Sequence, residues 1–364
     1  MLGPRGGAIV HETLATHSAE MIRSARFVYF RKNPYQGLEG VAMSGRAVGW
    51  RRFGLLAGTG GGVLVVSVLT AAFAHADVDD PLSGSDTAII LGGTFESTPD
   101  TAFAQAAENL YLNPLGFDGG ATSSTVCDMV GTDPCAAPLQ VLTTPELVQQ
   151  GPSTLTDADA VTLAVENEFT ANPGAFSAED PLTIFGYSQS AAAESIAMTQ
   201  LAADGIPSAD LHFVFIGDPA LPTGIGPNLM AALDSVYGSS EANTIVTDLG
   251  LGGPSSVTPD DLYPATIYTL DGDGVADFQQ DFTAGGLGDA LYNLFTTHAE
   301  YLGLTPTQIA DATTSIDGDL TNIDISDNIN GFDALIGALE HGIGSSGLFE
   351  SLFQSLELYL TNTF

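Results

Sequence analysis

The sequence predicts an α/β fold: a mostly parallel sheet flanked by helices, with a helical C-terminal tail. Three observations lead there. Four short runs, at residues 87–91, 182–185, 211–216 and 265–270, are almost wholly apolar, as strands buried on both faces of a parallel sheet require. Helix-prone stretches fall between them at 101–110, from 145 onward, at 158–169 and at 189–203. This alternation implies right-handed βαβ crossovers. Finally, the run at 182–185 passes through Gly186-Tyr187-Ser188-Gln189-Ser190 into an alanine-rich stretch. That is a serine on a sharp strand-to-helix turn, with small residues two before and two after it, as a strained nucleophile turn demands.

Taken in order, residues 1–42 contain no pattern of a folded domain, and Met43 is a candidate start site. Residues 43–76 read as an export signal: Arg46, Arg51 and Arg52 precede a glycine-rich apolar run that ends in Ala74-His75-Ala76, a small-x-small cleavage pattern. Arg51-Arg52 also suits twin-arginine export. The rival reading of this run is a membrane anchor. Residues 77–305 form the expected α/β domain, and 306–364 an acidic, helical extension. The last stretch places Leu348, Leu352, Leu356 and Leu360 on one stripe, a helix packed on the domain or a lid over an acyl pocket. The expected destination is the cell envelope or the exterior, and a monomer is expected. An oxidising exterior favours a disulfide between Cys127 and Cys135, the only two cysteines.

Charge narrows the chemistry. All 8 Lys and Arg lie within the first 52 residues, whereas 41 of the 44 Asp and Glu lie from Asp77 onward. The expected domain therefore has no phosphate clamp, P-loop lysine, Schiff base or Ser-Lys dyad. Nucleic acid is excluded as a partner, because phosphate contacts need cations, and an anionic substrate would be repelled. Chemistry on a neutral acyl group, with backbone N–H groups stabilising the oxyanion, remains open. Added salt or Ca²⁺ should raise stability by screening self-repulsion.

A serine nucleophile needs a base, an acid to orient it, and an oxyanion hole. Three histidines follow the export segment. His212 opens a strand, at the wrong end of the sheet, and His341 sits in a helix-like tail. His298 follows the last strand run and completes the chain order Ser…Asp…His. The acid should follow residues 265–270, where Asp271, Asp273, Asp277 and Asp281 are available. Asp273 and Asp277 are best placed, with a slight preference for Asp277 on a turn beyond the strand end. The same four aspartates offer a second reading as a calcium loop, although the downstream bidentate Glu is missing; no other cofactor is expected. Gly92-Gly93 after the first strand lets backbone N–H groups approach a ligand. Thr94 N–H and Gln189 N–H are the expected oxyanion donors, with the Thr94 hydroxyl assisting.

These stretches together resemble the mycobacterial PE-PPE C-terminal domain, a serine α/β-hydrolase related to cutinases. The residues that carry the resemblance are 89–100 (IILGGTFESTPD), 185–193 (FGYSQSAAA), 213–224 (FVFIGDPALPTG), 268–280 (YTLDGDGVADFQQ) and 297–301 (THAEY), within about residues 86–305. The resemblance implies an α/β-hydrolase-like, cutinase-like fold with Ser188 as nucleophile, His298 as base and the acid within 273–277. It also implies esterase or lipase activity on acyl esters or lipids. The sequence departs from the family where Asp277-Phe278-Gln279 replaces the usual DFP and where DGDG is expanded, which leaves the acid open. Two other functions remain: acyl transfer between envelope lipids with the same residues, and a non-enzymatic envelope or calcium-binding protein.

Overall fold

The computed structural model describes residues 80–119, 124–252, 256–326 and 331–342. The expected extension at 1–42, the export segment at 43–76 and the leucine stripe at 346–364 lie outside the described residues.

Among the described residues a single sheet of eight strands organises the fold, in the order β2-β3-β1-β4-β5-β6-β8-β7. The strands are β1 (Ala88–Ile90), β2 (Val126–Asp128), β3 (Leu139–Val141), β4 (Leu182–Tyr187), β5 (Leu211–Ile216), β6 (Ala265–Leu270), β7 (Thr313–Asp317) and β8 (Leu320–Ile325). All neighbours pair parallel except β7 with β8. The helices are α1 (Thr101–Ala107), α2 (Gln150–Ala171), α3 (Gln189–Asp204), α4 (Ile225–Tyr237), α5 (Ser239–Leu249), α6 (Phe278–Phe295), α7 (Pro306–Ala310) and α8 (Gly331–Glu340). α2 unites the two helix-prone stretches expected after residue 145.

The apolar runs are explained by burial on both faces. Ile90, Phe185, Tyr187, Val214, Ile216, Tyr268 and Leu270 point to one side, packing with α1, Tyr111 and Tyr301. Ile89, Leu91, Ile184, Phe213, Phe215 and Ile267 point to the other, against Val161 and Val165 of α2 and Ala197 and Leu201 of α3. Strands covered on both sides lose the polar alternation of a half-exposed sheet.

Two expectations need correction. The domain does not end at 305, nor is 306–325 a helical extension: β8 pairs with β6 over six residues and β7 closes the edge. β7 is exposed throughout and β8 is polar at Thr321, Asn322 and Asp324. The pair therefore lacks the apolar run that marked the inner strands. The tail does carry a helix, α8, which packs beside the turn Tyr301–Gly303. At the opposite edge, Cys127 of β2 is joined to Cys135 by a disulfide with a Cα–Cα distance of 6.3 Å. Closing so short a loop contributes about 2–3 kcal/mol on the chain-entropy estimate.

Candidate active site

β4 delivers Ser188 at its carboxyl end, and α3 begins at the next residue. Ser188 has φ 59° and ψ −115°, left-handed backbone that a non-glycine residue adopts only when the surroundings impose it. Those surroundings are visible. Ser190 Oγ accepts from Tyr187 N–H at 2.8 Å and donates to Tyr187 C=O at 3.1 Å, locking the turn. The Ser188 N–H donates to Ile216 C=O at 3.0 Å.

His298 Nε2 lies 2.8 Å from Ser188 Oγ. On the other side of the ring, Nδ1 lies 2.9 Å from both carboxylate oxygens of Asp273. Asp273 also accepts from Val275 N–H at 2.7 Å and from the Tyr301 hydroxyl at 2.7 Å. A carboxylate that accepts from every neighbour needs the proton on Nδ1, which leaves Nε2 free to accept the Ser188 hydroxyl proton. The His298 side chain is 9% exposed and Asp273 fully buried, so the pair is shielded from water's screening. Gly217, at φ +60°, lets the ring close in: a Cβ there would sit 2.7 Å from His298 Cε1. Tyr187 stacks on the imidazole with ring centroids 5.2 Å apart, and its hydroxyl donates to His298 C=O.

Asp273, not Asp277, therefore meets the histidine. Asp273 follows β6 by three residues and turns inward, held by Val275 and Tyr301. Asp277 sits at the head of α6, its own N–H bonded to Asp273 C=O at 2.8 Å. Burial pushes the Asp277 carboxyl up to about 6; the Gly272 backbone opposes this, while Asp281, Asp271 and Asp273 add to it. The calcium reading also fails on geometry. Asp273 is committed to His298 and Tyr301, Asp281 accepts from Asn293 at 2.7 Å, and among the described residues no three acidic, His or Cys side chains are grouped to hold a metal. His212 lies in β5 with Nε2 3.0 Å from Thr266 Oγ1, its pKa lowered by burial to about 4. His341 is half-buried, its Nδ1 2.6 Å from Leu302 C=O.

The loop after β1 passes directly over the serine. A Cβ on Gly93 would lie 3.2 Å from Ser188 Cβ and 3.0 Å from Tyr187 Cδ1, so any side chain there would force these neighbours to give by a few tenths of an ångström. The loop is fixed by Phe95, whose φ is 76° and whose N–H donates to Glu146 C=O at 2.9 Å. Among the described residues, neither Thr94 N–H nor Gln189 N–H has an acceptor, which suits the expected oxyanion role. The Thr94 hydroxyl is not available for it: it donates to Gln189 Oε1 at 2.9 Å. Gln150 Nε2 braces both, at 3.0 Å from Thr94 Oγ1 and from Gln189 Oε1, and Gln189 Nε2 donates to Asp157 at 3.0 Å.

Sequence reasoning missed Tyr301, Tyr187, Gly217, Gln150 and Asp157 as site residues. Tyr301 had a signal, three residues after His298 and so one turn away. Gln150 and Asp157 had none, because their partners are 39 and 32 positions distant.

The family model described as PE-PPE domain matches residues 134–323. The chain is 30% identical over 224 residues to the "Uncharacterized PPE family protein PPE28" of Mycobacterium tuberculosis, covering 61% of this chain and 30% of that protein. It is 31% identical over 238 residues to "Esterase PE16" of the same organism, covering 63% of this chain and 39% of that one. The chain thus spans between 30% and 39% of the length of these curated relatives. A cutinase-like protein from Cryptococcus sp. superimposes with a TM-score of 0.33 at 16% identity, over 58% of this chain and 88% of that one. The family match covers just over half of the chain, from the segment before β3 into β8, and on it the chain belongs to the PE-PPE domain family.

Proposed function

We propose that this protein is a serine carboxylic-ester hydrolase acting on neutral acyl esters. The observation that carries the proposal is the continuous run from Ser188 Oγ through His298 to Asp273, with every contact at 2.8–2.9 Å. The name of its relative, Esterase PE16, agrees with this reading. In the mechanism, His298 Nε2 takes the Ser188 proton as Oγ attacks the ester carbonyl carbon. The resulting oxyanion is met by Gln189 N–H and Thr94 N–H. Collapse expels the alcohol, which takes the proton from Nε2 and leaves an acyl group on Ser188. Water, deprotonated by the same nitrogen, then releases the acid and restores the hydroxyl. Asp273 orients the imidazole and stabilises its charged form throughout. Among the described residues no Lys or Arg stands near this path, so an uncharged ester fits better than an anionic one.

Export to the envelope or the exterior belongs to the same proposal, supported by the arginine-led apolar run at 43–76 and by the disulfide Cys127–Cys135.

The test is hydrolysis of p-nitrophenyl esters of increasing acyl length by the chain from Asp77 onward, alongside Ser188→Ala. Hydrolysis that disappears in the variant, with fluorophosphonate labelling of the parent only, is the expected result. A folded parent that neither hydrolyses nor is labelled would overturn the proposal in favour of a binding protein. Labelling without hydrolysis would redirect the search to an acyl acceptor.

A further inference from the structure

Behind the nucleophile turn lies a buried carboxyl that the proposed mechanism does not use. Glu194, on α3 six residues after Ser188, is fully buried, and among the described residues neither of its carboxyl oxygens has a hydrogen-bond partner. Its carboxyl presses on the turn itself: a Cβ on Gly186 would sit 2.5 Å from Glu194 Oε1 and 2.9 Å from Ala191 N.

The charged groups facing Glu194 are both acids: Asp218 after β5, and Glu146 on the loop after β3. Asp157 on α2 stands next to Glu146 in turn. None of the 8 Lys and Arg lies among the described residues.

The donors are distributed unevenly among these four acids. Asp218 accepts from Thr258 Oγ1 at 2.6 Å and from Ala220 N–H at 2.8 Å. Asp157 accepts from Gln189 and Ser153, and Glu146 from Thr144. Glu194 has no donor. A buried carboxylate is tolerable only where donors or cations meet it, so where acids crowd together the proton belongs to the one without donors. Burial first, then Asp218 and Glu146, raises its pKa well above the ordinary value.

We propose that Glu194 is a positioning residue that works as a neutral carboxylic acid, holding the nucleophile turn and the loop over it in register only while it keeps its proton. Loss of the proton would set a negative charge against Gly186 and repel both neighbouring acids. Each neighbour is tied to the site. Glu146 carries the carbonyl that anchors Phe95 N–H, and hence the loop with Thr94. Asp218 directly follows Gly217, the glycine packed against His298. Ionisation thus loosens both flanks of the serine at once, giving the site an alkaline limit set by a group that never touches substrate.

Glu194→Gln, a neutral isostere, tests this. It should match the wild type in acid and outlast it in alkali. The gap in melting temperature in its favour should widen as pH rises, and the alkaline limb of kcat/KM should move up by about 1 pH unit or more, a tenfold change in proton affinity. Difference infrared spectra at neutral pH should show a protonated-carboxyl band in the wild type that the variant lacks. The activity arm rests on the hydrolase reading; the melting and infrared arms need no activity, so the two can fail separately. A variant that melts below the wild type by the same margin at every pH, or whose spectrum retains the full protonated band, overturns the proposal. If the variant folds poorly, the wild type is titrated alone: its protonated-carboxyl band should persist above the range near 6 in which Asp157, Asp218 and Asp277 ionise, and loss of all such absorption there overturns the proposal.

Discussion

The two sides of the serine turn solve the same problem in opposite ways. In front of Ser188, Asp273 receives hydrogen bonds from His298, Tyr301 and Val275, and its charge is met from every direction. Behind it, among the described residues, Glu194 has no donor, while one oxygen each of Glu146 and Asp157 also lacks a partner. Both regions are buried, both are acidic, and neither has a lysine or arginine. The difference is donor supply, and it teaches that burial alone does not decide a carboxyl's charge. Where tyrosine, backbone and imidazole converge, a carboxylate can persist and orient a base; where none do, a proton must take their place.

The sharpest way to break the front of this comparison is Ser188→Ala, which should lower kcat by about 10⁴–10⁶-fold without unfolding the protein, as read by ester hydrolysis beside a melting curve. Next comes the acid. Asp273→Asn should cost about 10⁴-fold in kcat by allowing the wrong histidine tautomer, while Asp277→Asn stays near wild type; equal losses would dissolve the distinction between the two aspartates. Tyr301→Phe removes one donor from Asp273 and the acceptor of Leu270 N–H. A hydrogen bond to a charged group contributes about 1.5–3 kcal/mol, so kcat should fall about 10–100-fold.

The smallest effect belongs to the back of the turn. Burial raises Asp157 and Asp218 to about 6, above their unfolded values, so the native state binds more protons than the unfolded chain. Stability from these groups is complete below the unfolded carboxylate range and is lost as pH climbs from about 4 to about 6. The melting temperature should therefore be several degrees higher near pH 5 than near pH 8. Added salt should recover only the part due to exposed self-repulsion. A melting temperature that rises with pH over this interval would show that the acids behind the turn are better served by donors than their contacts indicate.

Much of this could be read along the chain. Sheet strands buried on both faces must be apolar at every position, so the inner strands were plain. The strained serine needs small neighbours, and Gly186 and Ser190 supplied them. His298 emerged from chain order. The edge pair β7–β8 was hidden because strands exposed to water need no apolar run, and only pairing with β6 makes them strands. The choice between Asp273 and Asp277 was hidden too, since both lie on one short turn past a strand end.

By itself, then, the sequence determined what depends on local period and residue type: the parallel sheet core, the serine turn, and the absence of cations from residue 53 onward. The tertiary structure alone decided what depends on donors arriving from distant segments. Tyr301 holds Asp273 beside His298, Gln150 ties Thr94 to Gln189, and among the described residues no donor reaches Glu194. Hydrogen-bond supply at a buried point is a property of what the fold brings together, and no local stretch of sequence encodes it.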